Sequence, residues 1–124
     1  MRLETNKNNN YISESKIKSS GRGVYAGKDY KKGDVVDINP FIEIKKNAFI
    51  NHYSWSCPWN INNGLVVLGD INIINETQET DKQNVFYYHF DKINRSIMCK
   101  AIKDIKKDEE LLTHYGENYD RRHY

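Results

Sequence analysis

The chain has 124 residues, with 19 Lys plus Arg against 17 Asp plus Glu and a formal net charge of +2, so one domain is expected, burying roughly two-thirds of its unfolded surface round one core. No apolar run approaches the ~18 residues of a membrane span, and residues 1–10 are polar, without a secretory stretch, which makes a soluble, intracellular protein the expectation. Both charge signs are interspersed, giving no clustered footprint for direct nucleic-acid binding, and the two cysteines, Cys57 and Cys99, build neither a disulfide framework nor a four-thiolate zinc site.

Residues 1–10 include Asn8-Asn9-Asn10 and no apolar periodicity, and are read as a disordered leader. Short β segments follow at Tyr11-Ile12, at Ile17 and at Gly23-Val24-Tyr25-Ala26, with a turn at Ser19-Ser20-Gly21. Lys31-Lys32-Gly33-Asp34 predicts a second turn and residues 35–38 a strand; Asn39-Pro40 is read as a break before a period-two strand over 41–44. Residues 51–64 carry both tryptophans and no clear period, and are read as an ordered insert with one helical turn. Residues 65–68 suit a buried strand, 70–76 a single helical turn, and 77–83, which lack any apolar residue, a surface loop. Three further strands are predicted over 85–90, 96–102 and 110–114, with turns at 91–94 and 106–108. No segment sustains a helical apolar stripe over three turns, so the fold class is mainly β.

Few residues advertise chemistry by themselves. Gly21-Arg22-Gly23 is a glycine-bracketed turn that lets backbone approach a ligand closely. It lacks the third glycine of a dinucleotide fingerprint and the Gly-Lys-Ser/Thr of a phosphate loop. His52, His89, His114 and His123 are spaced too widely for a compact metal motif, and no Ser lies in a nucleophile elbow. The lysine clusters 45–46 and 103/106/107 read as solvated faces. With nine Tyr in a lean core, most must fill space; the rings of Tyr25, Tyr30 and Tyr88 are structural by default.

Three blocks in order carry a resemblance. The first is Gly21-Arg22-Gly23-Val24-Tyr25-Ala26 with Lys32-Gly33-Asp34 after it. The second is Leu68-Gly69 leading through Ile73-Ile74 to Asn75. The third is Glu109-Glu110-Leu111 followed by Tyr115-Gly116. Together they span residues 21–119, and the chain resembles the SET-domain protein-lysine methyltransferases, in particular small stand-alone SET proteins, including viral histone methyltransferases. The resemblance implies a fold of several small β-sheets with a C-terminal pseudoknot, a SET domain over residues 11–119 and a short tail over 120–124.

It also implies an S-adenosylmethionine-dependent protein-lysine N-methyltransferase, with S-adenosylhomocysteine as product. The partner is a protein or peptide lysine, on a histone tail or another protein, and the location is nuclear if the substrate is a histone. Carried over position by position, Tyr115 is the tyrosine nearest the transferred methyl and Tyr53 a second channel tyrosine. Arg22, Gly23, Val24, Tyr25, Asn75, Glu76 and Tyr119 then face the cofactor, and no metal is implied. Cover for the channel is expected from Tyr119 and Tyr124 or from a second subunit, which makes a homodimer an expectation.

The chain departs from the family's pattern at Asn75-Glu76-Thr77, where the family carries Asn-His-Ser, and in a longer, proline-free link to Asn84. Thr113 stands two before Tyr115, where relatives often carry an aromatic, and two cysteines leave no flanking zinc modules. These departures keep open a SET fold that binds peptide or cofactor without catalysis. An unrelated β adaptor with chance motif matches is a third reading.

Overall fold

A computed structural model describes residues 8–17, 20–46 and 55–114. Short β-forming runs between tight turns supply nine strands among the described residues. β1 (Tyr11–Glu14) and β2 (Arg22–Tyr25) form an antiparallel pair, in register from Tyr11 opposite Tyr25 to Glu14 opposite Arg22. The return is closed by the Ser15 N–H on the Gly21 carbonyl at 2.8 Å. Gly21 has φ 67°, a conformation that costs glycine nothing. Ile17 is not a strand residue; its N–H bonds the Ser15 hydroxyl at 3.0 Å, a local turn that competes with extension.

A five-stranded sheet follows, built from β3 (Val35–Lys45), β4 (Trp55–Ser56), β5 (Asn63–Val67), β7 (Val85–Asp91) and β8 (Ser96–Ala101), in the order β4-β5-β3-β8-β7. β6 (Asn75–Glu76) and β9 (Leu112–Thr113) make a separate parallel pair. The expected break at Asn39-Pro40 does not occur: β3 is continuous for 11 residues. Its first half pairs with β8 as far as Pro40 opposite Ser96, and its second half pairs with β5 from Phe41 opposite Val67. Proline therefore sits where one partner hands over to the next, and its missing N–H interrupts neither ladder. Its carbonyl still accepts the Leu68 N–H at 2.9 Å.

The insert also differs from expectation. Trp55–Ser56 is extended against β5, and the chain turns rather than coils between Cys57 and Asn62; residues 51–54 lie outside the described residues. The single helical turn before Asn75 is present as a 3-10 turn, Asp70–Ile73, and the polar loop after it holds another, Thr80–Lys82. Asn8 to Asn10, assigned above to a disordered leader, are tied to the domain, while residues 1–7 lie outside the described ones. Asn10 is buried, donates to the Val36 carbonyl at 3.0 Å and accepts from Gly27 N–H at 3.0 Å. A polar tripeptide is held here because its amides satisfy buried backbone groups, a cause that hydropathy does not register.

The core joins both ends of the chain. Val24, Val36, Leu65, Ile71, Ile97 and Leu111 are each buried to within 1% exposure, and each such side chain stabilises by roughly 1.5–3 kcal/mol relative to exposure. Cys57 and Cys99 are free and buried, as expected of idle thiols; burial, with the Asp37 charge adding to it, pushes the Cys99 thiol well above the ordinary range.

Candidate functional site

The first and third sequence blocks meet at β2. Past Tyr25 the backbone bonds run to the C-terminal segment: Leu111 N–H donates to the Val24 carbonyl at 2.8 Å, Ala26 N–H to the Glu109 carbonyl at 2.9 Å, and Tyr25 bridges Glu110. The segment then enters the parallel pair, with Asn75 opposite Leu112 and Glu76 opposite Thr113. The loop after Glu76 clasps it from the other side. Thr77 N–H bonds the Thr113 carbonyl at 2.9 Å, and Asn84 N–H bonds the Leu112 carbonyl at 2.9 Å. The Asn84 side chain adds a bond to each neighbour, donating to the Glu110 carbonyl at 2.9 Å and accepting from Leu112 N–H at 2.8 Å. The Gln83 amide closes the loop on the Thr77 carbonyl at 2.9 Å. This clasped segment is the C-terminal pseudoknot, and it sets Leu112 beside Asn75.

At the centre lies Glu110, 6% exposed. Its Oε2 accepts from the Ser15 hydroxyl at 2.7 Å and from Asn75 Nδ2 at 3.3 Å, while Oε1 accepts from Lys16 N–H at 2.9 Å. Asn75 Nδ2 also donates to the Arg22 carbonyl at 2.9 Å. A Cβ at position 23 would stand 2.3 Å from Glu110 Oε2 and 3.3 Å from Asn75 Nδ2. The second glycine of the bracket is thus required by close approach of this polar cluster.

Arg22, Gly23 and Asn75 are therefore brought together. Val24 and Tyr25 adjoin them with side chains only 1% and 5% exposed. The Tyr25 hydroxyl donates to the Glu14 carbonyl at 2.6 Å, its ring stacks on Tyr11 at 5.5 Å, and Lys16 Nζ lies 5.5 Å above it. Burial, then the Glu110 charge, raises its pKa. Glu76 is buried within the parallel pair, at 8% exposure. Tyr53, Tyr115 and Tyr119 lie outside the described residues. Sequence reading did not single out Ser15, Lys16, Glu110 or Asn84 as site residues. Glu110 stood in the third block and Asn84 at the end of the long link, but nothing local marks Ser15 or Lys16 as partners of Glu110.

Among the described residues no three His, Cys, Asp or Glu side chains gather as metal ligands, and no helix is long and apolar enough to cross a membrane. Small sheets round a clasped C-terminal segment, with a glycine-bracketed strand against an asparagine, define a SET-type domain. The SET domain family model matches residues 21–116, and the chain belongs to that family. Membership supports methyltransferase activity in general.

Solved structures share the fold. A candidate histone methyltransferase from Plasmodium falciparum superposes with a TM-score of 0.71 at 24% identity, covering 89% of this chain and 95% of that one. SET8 from Cryptosporidium gives 0.65 at 21% identity, covering 89% of this chain and 58% of that one. Polycomb repressive complex 2 of Chaetomium thermophilum, in an autoinhibited conformation bound to S-adenosylmethionine, gives 0.70 at 19% identity, covering 90% of this chain and 16% of that one. At these identities the likeness is one of fold, and this chain spans a small part of the polycomb chain. No curated protein matches it.

Proposed function

We propose that the protein is an S-adenosylmethionine-dependent protein-lysine N-methyltransferase acting on a histone tail or another protein lysine. The observation that carries this reading is the Asn75 carboxamide, anchored through Nδ2 on Arg22 and Glu110 beside the Gly23 backbone. Those two bonds use the amide hydrogens and leave Oδ1 to accept from a cationic amino-acid end. Arg22, Gly23 and Asn75 are the residues of the described site that would hold the cofactor, with Val24, Tyr25 and Glu76 supporting them and Tyr119 added by the resemblance. When bound, that group supplies a methyl on sulfonium sulfur.

The chain's own task is positioning. A lysine amine has an ordinary pKa of about 10.4 and reacts only when neutral, so the site must desolvate it and aim it. Tyrosine suits both needs, because its ring excludes water while its hydroxyl orients the amine. By the family pattern Tyr115 takes this role, with Tyr53 a second channel wall. A nuclear location and a chromatin role follow if the substrate is a histone, and a homodimer would supply further cover for the channel.

Calorimetric titration with S-adenosylmethionine, followed by transfer assays on histone mixtures, tests the reading. Wild type is expected to bind and to transfer; Asn75→Ala loses binding, and Tyr115→Phe keeps binding but loses transfer. Failure of wild type to bind the cofactor overturns the proposal. Binding without transfer to any protein lysine replaces it with a non-catalytic binding module.

A further inference from the structure

We infer that Glu110 is a positioning residue that fixes which way round the Asn75 carboxamide sits, so that Asn75 presents an oxygen and not an NH2 to the amino-acid end of the cofactor. The inference rests on the cofactor reading above. A carboxamide has two ends of nearly equal shape, and only its partners decide their orientation. Here Nδ2 lies 2.9 Å from the Arg22 carbonyl oxygen and 3.3 Å from Glu110 Oε2. A carbonyl can only accept, and the Glu110 carboxylate already accepts from the Ser15 hydroxyl and the Lys16 N–H. Turning Asn75 round would set Oδ1 against two oxygens.

Glu110 is itself held without freedom to adapt. Its backbone is bridged to Tyr25 and bonded by the Asn84 side chain. Its carboxylate fills the space that the absent side chain of Gly23 leaves. It joins segments 35, 94 and 95 residues away in sequence.

Glutamine at 110 breaks the polarity while nearly keeping the shape. With its NH2 towards Asn75, the Asn75 oxygen must turn in to meet it, towards the Arg22 carbonyl, and the Asn75 NH2 turns out towards a cation. With its NH2 towards Lys16, two donors collide and the Lys16 backbone N–H loses its acceptor. The donor clash at Lys16 disfavours the second arrangement, so the first prevails and turns the Asn75 acceptor away from the ligand, while a ligand lacking the amino-acid end is unaffected by that change.

The experiment compares wild type with Glu110→Gln for two probes: S-adenosylhomocysteine, and 5′-methylthioadenosine, which lacks the amino-acid end. E110Q is expected to weaken S-adenosylhomocysteine at least about tenfold, the order of one misdirected charge-assisted hydrogen bond, with 5′-methylthioadenosine unchanged. Equal losses for both probes, or no loss for either, overturn the positioning role. A second measurement needs no change at Glu110. In wild type the Asn75 side-chain NH2 protons, assigned by their absence in Asn75→Asp, should show no cross-relaxation with the bound ligand's α-proton; such contacts overturn the inference even if E110Q fails to fold. Wild type that binds neither probe overturns the cofactor reading itself, and the inference with it. E110Q that matches wild type in a protein that binds both overturns the inference alone.

Discussion

Asn84 and Leu112 bond each other in both directions: the Asn84 N–H donates to the Leu112 carbonyl at 2.9 Å, and the Leu112 N–H donates back to Asn84 Oδ1 at 2.8 Å. The remaining end of the same carboxamide donates to the Glu110 carbonyl at 2.9 Å. One buried side chain thus satisfies two backbone groups of the clasped segment. Asn84→Ala would leave both without a side-chain partner, which costs about 2–5 kcal/mol. Urea denaturation reads the loss as a lower midpoint with an unchanged slope. A loss below about 1 kcal/mol would show that the clasp relaxes and finds other partners.

Thr113 makes the opposite prediction. It is fully buried and its Oγ1 has no hydrogen-bond partner among the described residues. Valine has the same shape without the hydroxyl, so Thr113→Val removes an uncompensated polar group and is expected to raise stability by about 1 kcal/mol, a few degrees in Tm. Calorimetry showing a lower Tm for T113V would mean that the hydroxyl has a partner in solution.

Gly69 precedes the 3-10 turn with φ 152°, and a Cβ there would stand 2.5 Å from Asn39 Cγ and Oδ1. Asn39 cannot yield freely, because its Oδ1 accepts the Ile71 N–H at 2.9 Å and its Nδ2 donates to Asp37 at 3.2 Å. Gly69→Ala is therefore expected to cost about 2–4 kcal/mol, combining backbone strain with a broken buried bond. Thermal unfolding with a Tm within a degree of wild type would refute this.

Tyr30 gives an alkaline signature. Its hydroxyl is buried and donates to Asn10 Oδ1 at 2.5 Å, and burial pushes its pKa from 10.0 up to about 12. The folded state therefore holds its proton at pH values where the unfolded chain releases it. The resulting contribution is complete below pH 10 and is lost as pH rises towards 12. Denaturation midpoints measured from pH 8 upward should fall more steeply in wild type than in Tyr30→Phe, in which this proton is absent. Parallel profiles would sink the assignment.

Much of the fold was legible because its causes are local. β7 and β8 follow from β-forming runs bounded by polar turns, and the surface loop at 77–83 from its lack of any apolar residue. The glycine bracket at Gly21-Arg22-Gly23 could likewise be marked as a place where backbone comes close. What stayed hidden depends on partners distant in sequence. Pro40 is harmless only because β3 changes neighbours at that residue, and Asn10 is ordered only because Val36 and Tyr30 need its amide.

The sequence by itself determined the short-strand character, the lack of a disulfide framework with only Cys57 and Cys99 present, and the family, since composition, turn chemistry and ordered motifs are properties of neighbouring residues. Only the tertiary structure decided why Gly23 must be glycine. The reason is the Glu110 carboxylate, which lies beneath it, draws Asn75, Ser15 and Lys16 together, and arrives from the other end of the domain. Hydrogen-bond polarity at such a junction is set by which acceptors converge in space, and spacing along the chain carries no record of that convergence.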